Sequence, residues 1–249
     1  MKNRIWKNKI LAILFGGGLL LCLAAGCFAV RHEVTTSGKL KETVVVIDPG
    51  HGGIDPGKVG VGGSYEKDIN LSIAKDLKTF LEEEKIKVVM TRETDRGLYS
   101  EGDTRKKTSD MRARMDLMNR PEVDLIVSIH QNSFSNPSSK GAQVFYQASS
   151  ETGKRLATIL QETLVSELDT ENHRQAKANN SYYILKKSIK TAVIVECGFL
   201  SNAGEEAVLL TREYQKKVAD AICKGIIKYL KEEKKEVREN GDKNTEGES

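Results

Sequence analysis

Val44-Val45-Val46-Ile47-Asp48-Pro49-Gly50-His51-Gly52-Gly53 is the stretch from which the fold can be read. Its run of β-branched residues suits a buried, pleated strand. Pro49 and Gly50 end that strand, because proline has no amide to continue a ladder and glycine accepts a tight turn. The turn leaves His51 at the carboxyl end of the strand, flanked by glycines. In open α/β sheets, ligands bind beyond the carboxyl ends of the strands.

Two later stretches have the same design. Asp124 to Ile129 is an apolar run that ends at His130, and Thr191 to Val195 is another that ends at Glu196. If the three strands are parallel, three ionisable side chains converge at one edge of the sheet.

The segments between them supply crossovers. Asp68 to Glu84 carries Ile69, Ile73, Leu77, Phe80 and Leu81 at helical spacing, and Glu151 to Leu168 repeats the pattern. Helices are also predicted over Ser109 to Asn119 and Glu213 to Leu230, with Asn202 capping a short one that holds Glu205 and Glu206. Short strands are predicted at Lys87 to Thr91 and Ala142 to Gln147, and an extended piece at Tyr182 to Leu185. Strands alternating with helices predict an α/β fold: a single domain over 44 to 230, with a mostly parallel central sheet flanked by helices on both faces. The long polar loop from Arg92 to Thr108 is expected to be a lid or the rim of a cleft.

The ends of the chain read differently. Lys2, Arg4, Lys7 and Lys9 precede Ile10 to Val30, which carry no charge. Residues 1–30 are therefore a signal peptide or a membrane anchor, with the rest of the chain carried outside the cytoplasmic membrane. Residues 31–43 form a polar linker. Residues 231–249 are almost free of apolar side chains and are predicted to be a charged, disordered tail.

Composition excludes several classes. The net charge of +4 is small, and no basic stripe is interleaved with aromatics, which argues against nucleic acid. Cys22, Cys27, Cys197 and Cys223 all lie in apolar segments, so they form no disulfide framework. Cys197 beside Glu196 reads as a buried core thiol rather than a nucleophile. The glycine-rich loop from Gly52 to Tyr65 lacks the Gly-Lys-Ser/Thr of a phosphate loop. His32 and His173 lie in polar surroundings and read as solvated.

Two histidines and a glutamate would satisfy a catalytic zinc, which takes three protein ligands and keeps one position open. His51 and His130 are too far apart to form a local ligand motif, so the metal reading rests on their shared strand-end placement. Glu66 precedes the first helix, where it is either part of this cluster or an acid stabilised by the helix dipole.

The chain resembles the zinc-dependent N-acetylmuramoyl-L-alanine amidases of the type 3 family. The resemblance rests on Val-Ile-Asp-Pro-Gly-His-Gly-Gly (46–53), Glu-Lys-Asp-Ile-Asn-Leu (66–71), Thr-Arg-Glu-Thr-Asp (91–95), Arg114 with Asn119, Ser-Ile-His-Gln-Asn (128–132) and Val-Glu-Cys-Gly-Phe-Leu-Ser-Asn (195–202), in that order. It implies His51, Glu66 and His130 as zinc ligands and Glu196 as the catalytic carboxylate. It also implies hydrolysis of the amide between N-acetylmuramic acid and the first L-alanine of peptidoglycan stem peptides. Arg174-Gln175-Ala176-Lys177 and Tyr182 to Lys186 are similar to the branch of the family that acts on spore cortex during germination, on the way to muramic-δ-lactam. That branch implies a location in the forespore intermembrane space or cortex, and the need for an activating partner protein stays open. Arg114, Asn132 and Arg174 are candidate substrate contacts, the arginines through stem-peptide carboxylates; surface ion pairs are the alternative for both. The competing functions are a zinc peptidase or carboxypeptidase of the wall and a non-catalytic peptidoglycan-binding protein.

Overall fold

A computed structural model describes residues 42–246. The predicted signal or anchor segment, most of the linker, Cys22, Cys27 and His32 lie outside the described residues. No helix among the described residues is long and apolar enough to cross a membrane.

The strands are β1 (Val44–Pro49), β2 (Lys87–Met90), β3 (Leu125–Asn132), β4 (Gln143–Tyr146), β5 (Lys177–Ala178) and β6 (Thr191–Phe199). They form one sheet in the order β2-β1-β3-β6-β4-β5. The first four strands in that order run parallel, while β4 runs antiparallel to β6 and carries β5 parallel to itself. The helices are α1 (Glu66–Glu83), α2 (Lys106–Met118), α3 (Glu151–Leu168), α4 (Tyr183–Lys187), α5 (Ala203–Leu209) and α6 (Arg212–Glu246).

Alternation along the strands sorts the core into two layers. Val45, Ile47, Val127, Ile129, Val193 and Val195 pack with the apolar stripes of α1, α3 and α6. Val44, Val46, Ile126 and Ile194 point the other way, onto Met115 and Met118 of α2 and Ile184 and Leu185 of α4. Burial of each such side chain stabilises the fold by roughly 1.5–3 kcal/mol. Helices therefore cover both faces of a mostly parallel sheet, as predicted. A face rule follows for the site: Asp48, Ser128, His130 and Glu196 share parity with the second layer and project toward α2 and α4.

Two expectations are corrected. The Tyr182 to Leu185 piece is not extended. Lys186 and Ser188 donate their amides to the carbonyls of Tyr182 (3.0 Å) and Ile184 (2.9 Å), which closes the helical turn of α4. Aromatic and β-branched residues favour strands only weakly, and packing of Ile184 and Leu185 decides here. The tail is not disordered up to Glu246, because α6 continues through it. A helix already nucleated propagates through good formers such as Lys and Glu. Arg155 of α3 also ties it down by ion pairs to Glu233 and Glu236.

Candidate metal centre and active site

The turn after β1 directs carbonyl groups inward, and buried carbonyls require donors. Two buried arginines supply them. Arg92 donates to the carbonyls of Pro49 (3.0 Å), Gly50 (3.0 Å), Lys67 (2.8 Å) and Thr94 (3.2 Å). Arg114 donates to the carbonyls of Pro49 (2.9 Å) and His51 (2.5 Å) and to the carboxylates of Asp48 and Asp110, both at 2.6 Å. Asp48 accepts further bonds from the hydroxyls of Thr91 and Ser128, each at 2.6 Å. Burial pushes the Asp48 carboxyl up, but Arg114 and the two hydroxyls outweigh it and hold it below its usual value. Clamped in this way, His51 keeps a left-handed φ of 64°, which few non-glycine residues adopt. Gly50 has no room for a side chain, since a Cβ there would stand 2.2 Å from the His130 ring.

Arg114 thus departs from its sequence-based expectation. Its side chain is 2% exposed, so it is not a surface ion-pair residue. Its N–H groups are engaged within the chain, which leaves none for a substrate carboxylate.

His51, Glu66 and His130 each offer a ligand atom, and these atoms lie within 4.8 Å of one another. His51 Nε2 is 3.2 Å from Glu66 Oε2, and His130 Nδ1 is 2.9 Å from Glu66 Oε1. Glu66 is both residues that the sequence left open: it is the first residue of α1 and it belongs to the cluster. Its Oε2 accepts the Lys58 amide (2.7 Å), and its Oε1 accepts the Gln131 amide (3.0 Å) and Asn70 Nδ2 (3.2 Å). Burial pushes the Glu66 carboxyl up, but its bonds to His130 and His51 hold it well below the usual range. Burial alone would lower His130, yet Glu66 pushes it up to about 9. A cation entering the cluster competes with protons, so its binding tightens as pH rises. Behind His51, Asp55 Oδ2 lies 3.0 Å from Nδ1, and Lys107 lies 3.0 Å from Asp55 Oδ1. A carboxylate behind an imidazole sets the ring's tautomer and orientation.

Glu196 pairs in register with His130 on the neighbouring strand, so the two side chains share a face. A register irregularity just beyond His130 lets β6 continue to Phe199, past the strand end that the sequence suggested. The glutamate is 6% exposed. Its Oε1 accepts the Tyr182 hydroxyl at 3.2 Å, while Oε2 is buried without a partner. Burial is the main reason its carboxyl is pushed up, with Glu66 adding to the effect and His130 opposing it. A cavity of about 190 Å³ opens beside the cluster, lined by His51, His130, Asp55, Tyr99, Lys107 and Tyr182 among others. Tyr99 of the loop after β2 and Lys107 of the first turn of α2 line this cavity. Cys197 is a buried core thiol, and burial pushes its ionisation up, away from the thiolate a nucleophile needs.

The glycine-rich loop binds carboxylates of its own chain. Its amides at Gly53, Lys58 and Gly62 donate to Asp95, Glu66 and Glu206 at 2.9, 2.7 and 2.6 Å. Glu206 is buried and also takes the Ser64 hydroxyl at 2.5 Å. Asn202 caps α5 as expected, by accepting the amides of Gly204 and Glu205. Glu206→Ala is expected to lower stability by about 2 kcal/mol, since several charge-assisted bonds disappear together. A urea melt should show the lower midpoint with an unchanged slope.

Neither Asn132 nor Arg174 is among the residues lining the cavity beside the cluster. Asn132 is half-buried at the end of β3, with its Oδ1 occupied by the Ser133 amide (2.8 Å). The Arg174 guanidinium stacks 4.6 Å from the Phe199 ring centre, with Nε on the Lys140 carbonyl (2.7 Å) and Nη1 on Gln143 (3.3 Å). His173 is exposed, as expected. Sequence reasoning missed Asp55, Asp48 and Tyr182. Asp55 had a signal in its place four residues after His51, whereas Tyr182 had only its place in a segment similar to one branch of the family, with no sign of a contact to Glu196.

Fold and cluster together define a class: an α/β domain with a His-Glu-His donor set beside a buried carboxylate has the composition of a single-metal hydrolase. More particularly, residues 45–228 match the family model described as N-acetylmuramoyl-L-alanine amidase, and the chain belongs to that enzyme family. It is 36% identical over 234 residues to the germination-specific N-acetylmuramoyl-L-alanine amidase of Bacillus subtilis, covering 91% of this chain and 96% of that one. It is 31% identical to the amidase AmiA of Escherichia coli K12, over 75% of this chain and 76% of that one. Among solved structures it resembles the CwlD amidase of Clostridioides difficile, solved in complex with the GerS lipoprotein. The TM-score is 0.74 and the identity 38%, over 76% of this chain and 99% of the other.

Proposed function

We propose that the protein uses a zinc ion held by His51, Glu66 and His130 to hydrolyse the amide between N-acetylmuramic acid and L-alanine in peptidoglycan. The observation that carries this reading is the cluster itself: three donors of zinc-ligand type converge beside a buried carboxylate with one bare oxygen. Zinc favours nitrogen and oxygen donors and, in catalytic sites, takes three of them from the protein. When bound, it supplies a Lewis acid and lowers the pKa of water from ~15.7 to about 7.

The residues of the chain divide the remaining work. Asp55 orients His51, and the Lys58 and Gln131 amides orient Glu66. Glu196 Oε2 takes a proton from the attacking water and returns it to the departing alanine amine as the C–N bond breaks. Arg174, through a stem-peptide carboxylate, and Asn132 are the proposed substrate contacts. The spore cortex is the proposed setting, supported by likeness to the germination-specific relative. A location outside the cytoplasmic membrane is supported by the basic start and uncharged run of residues 1–30. A lipoprotein-like activating partner is supported by the neighbour solved with GerS.

The test is incubation of purified protein with peptidoglycan, followed by mass analysis of the soluble products. Whole stem peptides with a free N-terminal alanine amine are expected, lost on chelation and restored by zinc. Release of single terminal residues would instead indicate a carboxypeptidase. Binding to peptidoglycan without release, with zinc and partner supplied, would indicate a non-catalytic wall-binding protein.

A further inference from the structure

The Glu196 carboxylate is asymmetric in a way the reaction alone does not require. Oε1 accepts the Tyr182 hydroxyl at 3.2 Å, and Oε2 is buried with no partner. Tyr182 is itself held on several sides. Its ring meets Phe145 edge-to-face, with centres 5.4 Å apart and planes at 83°. Its amide donates to Asn179 Oδ1 (3.1 Å), which also takes the Ser181 amide and hydroxyl, each at 2.8 Å. The Asn179 amide is tied to the Tyr146 carbonyl at 2.8 Å, which anchors this turn to the sheet. Tyr182 then caps α4, whose Ile184 and Leu185 are buried. The hydroxyl therefore reaches Glu196 from a braced platform and lines the cavity that contains His51 and His130.

We propose that Tyr182 is a positioning residue for the amidase reaction: its hydroxyl holds Glu196 by Oε1 and so reserves Oε2 for the proton exchanged between water and the departing amine. The proposal rests on the amidase reading above. A glutamate side chain has several rotatable bonds, and a carboxylate free to turn would offer either oxygen in many orientations. A proton acceptor has to stand within hydrogen-bond reach of the proton it takes. A hydrogen bond to one oxygen from a rigid donor limits that search, and a bond to a charged group is among the stronger ones. The water's O–H bond breaks toward Oε2, and the same proton leaves Oε2 for the amine nitrogen as the C–N bond breaks. Tyr182 keeps its own proton throughout.

Tyr182→Phe keeps the ring on Phe145 and removes only the hydroxyl. In the zinc-loaded full chain, kcat is expected to fall roughly tenfold with KM within about twofold of wild type. Zinc affinity, read separately by competition with a chromophoric chelator, is expected to stay within about twofold, because the three ligands are untouched. Tyr182→Ala, which also removes the ring, should lose at least as much kcat and melt lower as well. A Tyr182→Phe kcat within twofold of an active wild type overturns the assignment. So does a rise in KM at unchanged kcat, which would make Tyr182 a substrate contact, or a matching loss of zinc affinity, which would place its effect on the metal. A wild-type chain that releases no stem peptide overturns the amidase reading and this assignment with it.

Discussion

Glu196→Gln is expected to reduce stem-peptide release by about 10²–10⁴-fold, the range that a positioned general acid–base supplies, while zinc affinity stays unchanged. Glutamine keeps the shape of the side chain and can still accept the Tyr182 hydroxyl, but it cannot take a proton from water. Glu196 is not one of the three clustered donors, so the cation site should survive the change. The stability readout goes the other way. Burial raises the Glu196 carboxyl, so the folded chain holds that proton more tightly than the unfolded chain does. Above the ordinary carboxylate range, keeping this group ionised in the fold costs stability. Chelator-treated Glu196→Gln should therefore melt at or above the wild-type temperature near neutral pH. Activity within tenfold of wild type would sink the role given to Glu196.

Asp48→Ala is expected to have the largest effect on folding. It removes the carboxylate partner of Arg114 inside the core, where both side chains are essentially inaccessible. Breaking one side of a buried pair costs about 3–5 kcal/mol; here Asp110 still faces Arg114 Nε, but the buried Nη1 loses its carboxylate and the Thr91 and Ser128 hydroxyls lose their acceptor. For a domain of this size that corresponds to a melting temperature lower by roughly 6–20 °C. The damage should reach the metal centre, since Arg114 also holds the His51 carbonyl. Loss of such a supporting contact typically weakens metal binding by about 10–100-fold. The pH dependence has a definite sign. Asp48 is held below the ordinary value of 3.8, so its contribution is complete above that pH and is lost as the pH falls through its lower folded value. The gap between wild type and variant should be constant at neutral pH and narrow below about pH 4. A loss under 1 kcal/mol at pH 7 would contradict this account.

Much of the site was written locally in the chain. The β-branched run of β1, its Pro-Gly stop and the matching runs before His130 and Glu196 state a parallel sheet with chemistry at its carboxyl edge. They do so because strand propensity, turn chemistry and alternation are short-range properties. Asn202 as a cap and Cys197 as a core thiol were legible for the same reason. Glu66 was ambiguous, because a helix start and a ligand position look alike in sequence. Only the approach of β3, which brings His130 and the Gln131 amide to its oxygens, shows that the residue starting α1 also belongs to the His51–His130 cluster.

What the sequence by itself determined was the sheet, its two apolar faces and the gathering of His51, His130 and Glu196 toward one edge, although β3 and β6 run on past His130 and Glu196. What the tertiary structure alone decided was the use of the polar groups around them. Arg114 reads as a substrate contact or a surface ion-pair residue, yet it is buried because the carbonyls of the β1 turn need donors that the ladder cannot provide. Tyr182 reads as one aromatic among several, yet its hydroxyl meets Glu196 because α4 folds back over the sheet. Residues 231–246 read as disordered, yet they continue α6, with the ion pairs of Arg155 fastening the turn of Glu233 and Glu236 to α3. In each case the partner lies far away in sequence or belongs to another element. A hydrogen bond across that distance depends on packing, which local propensity does not encode.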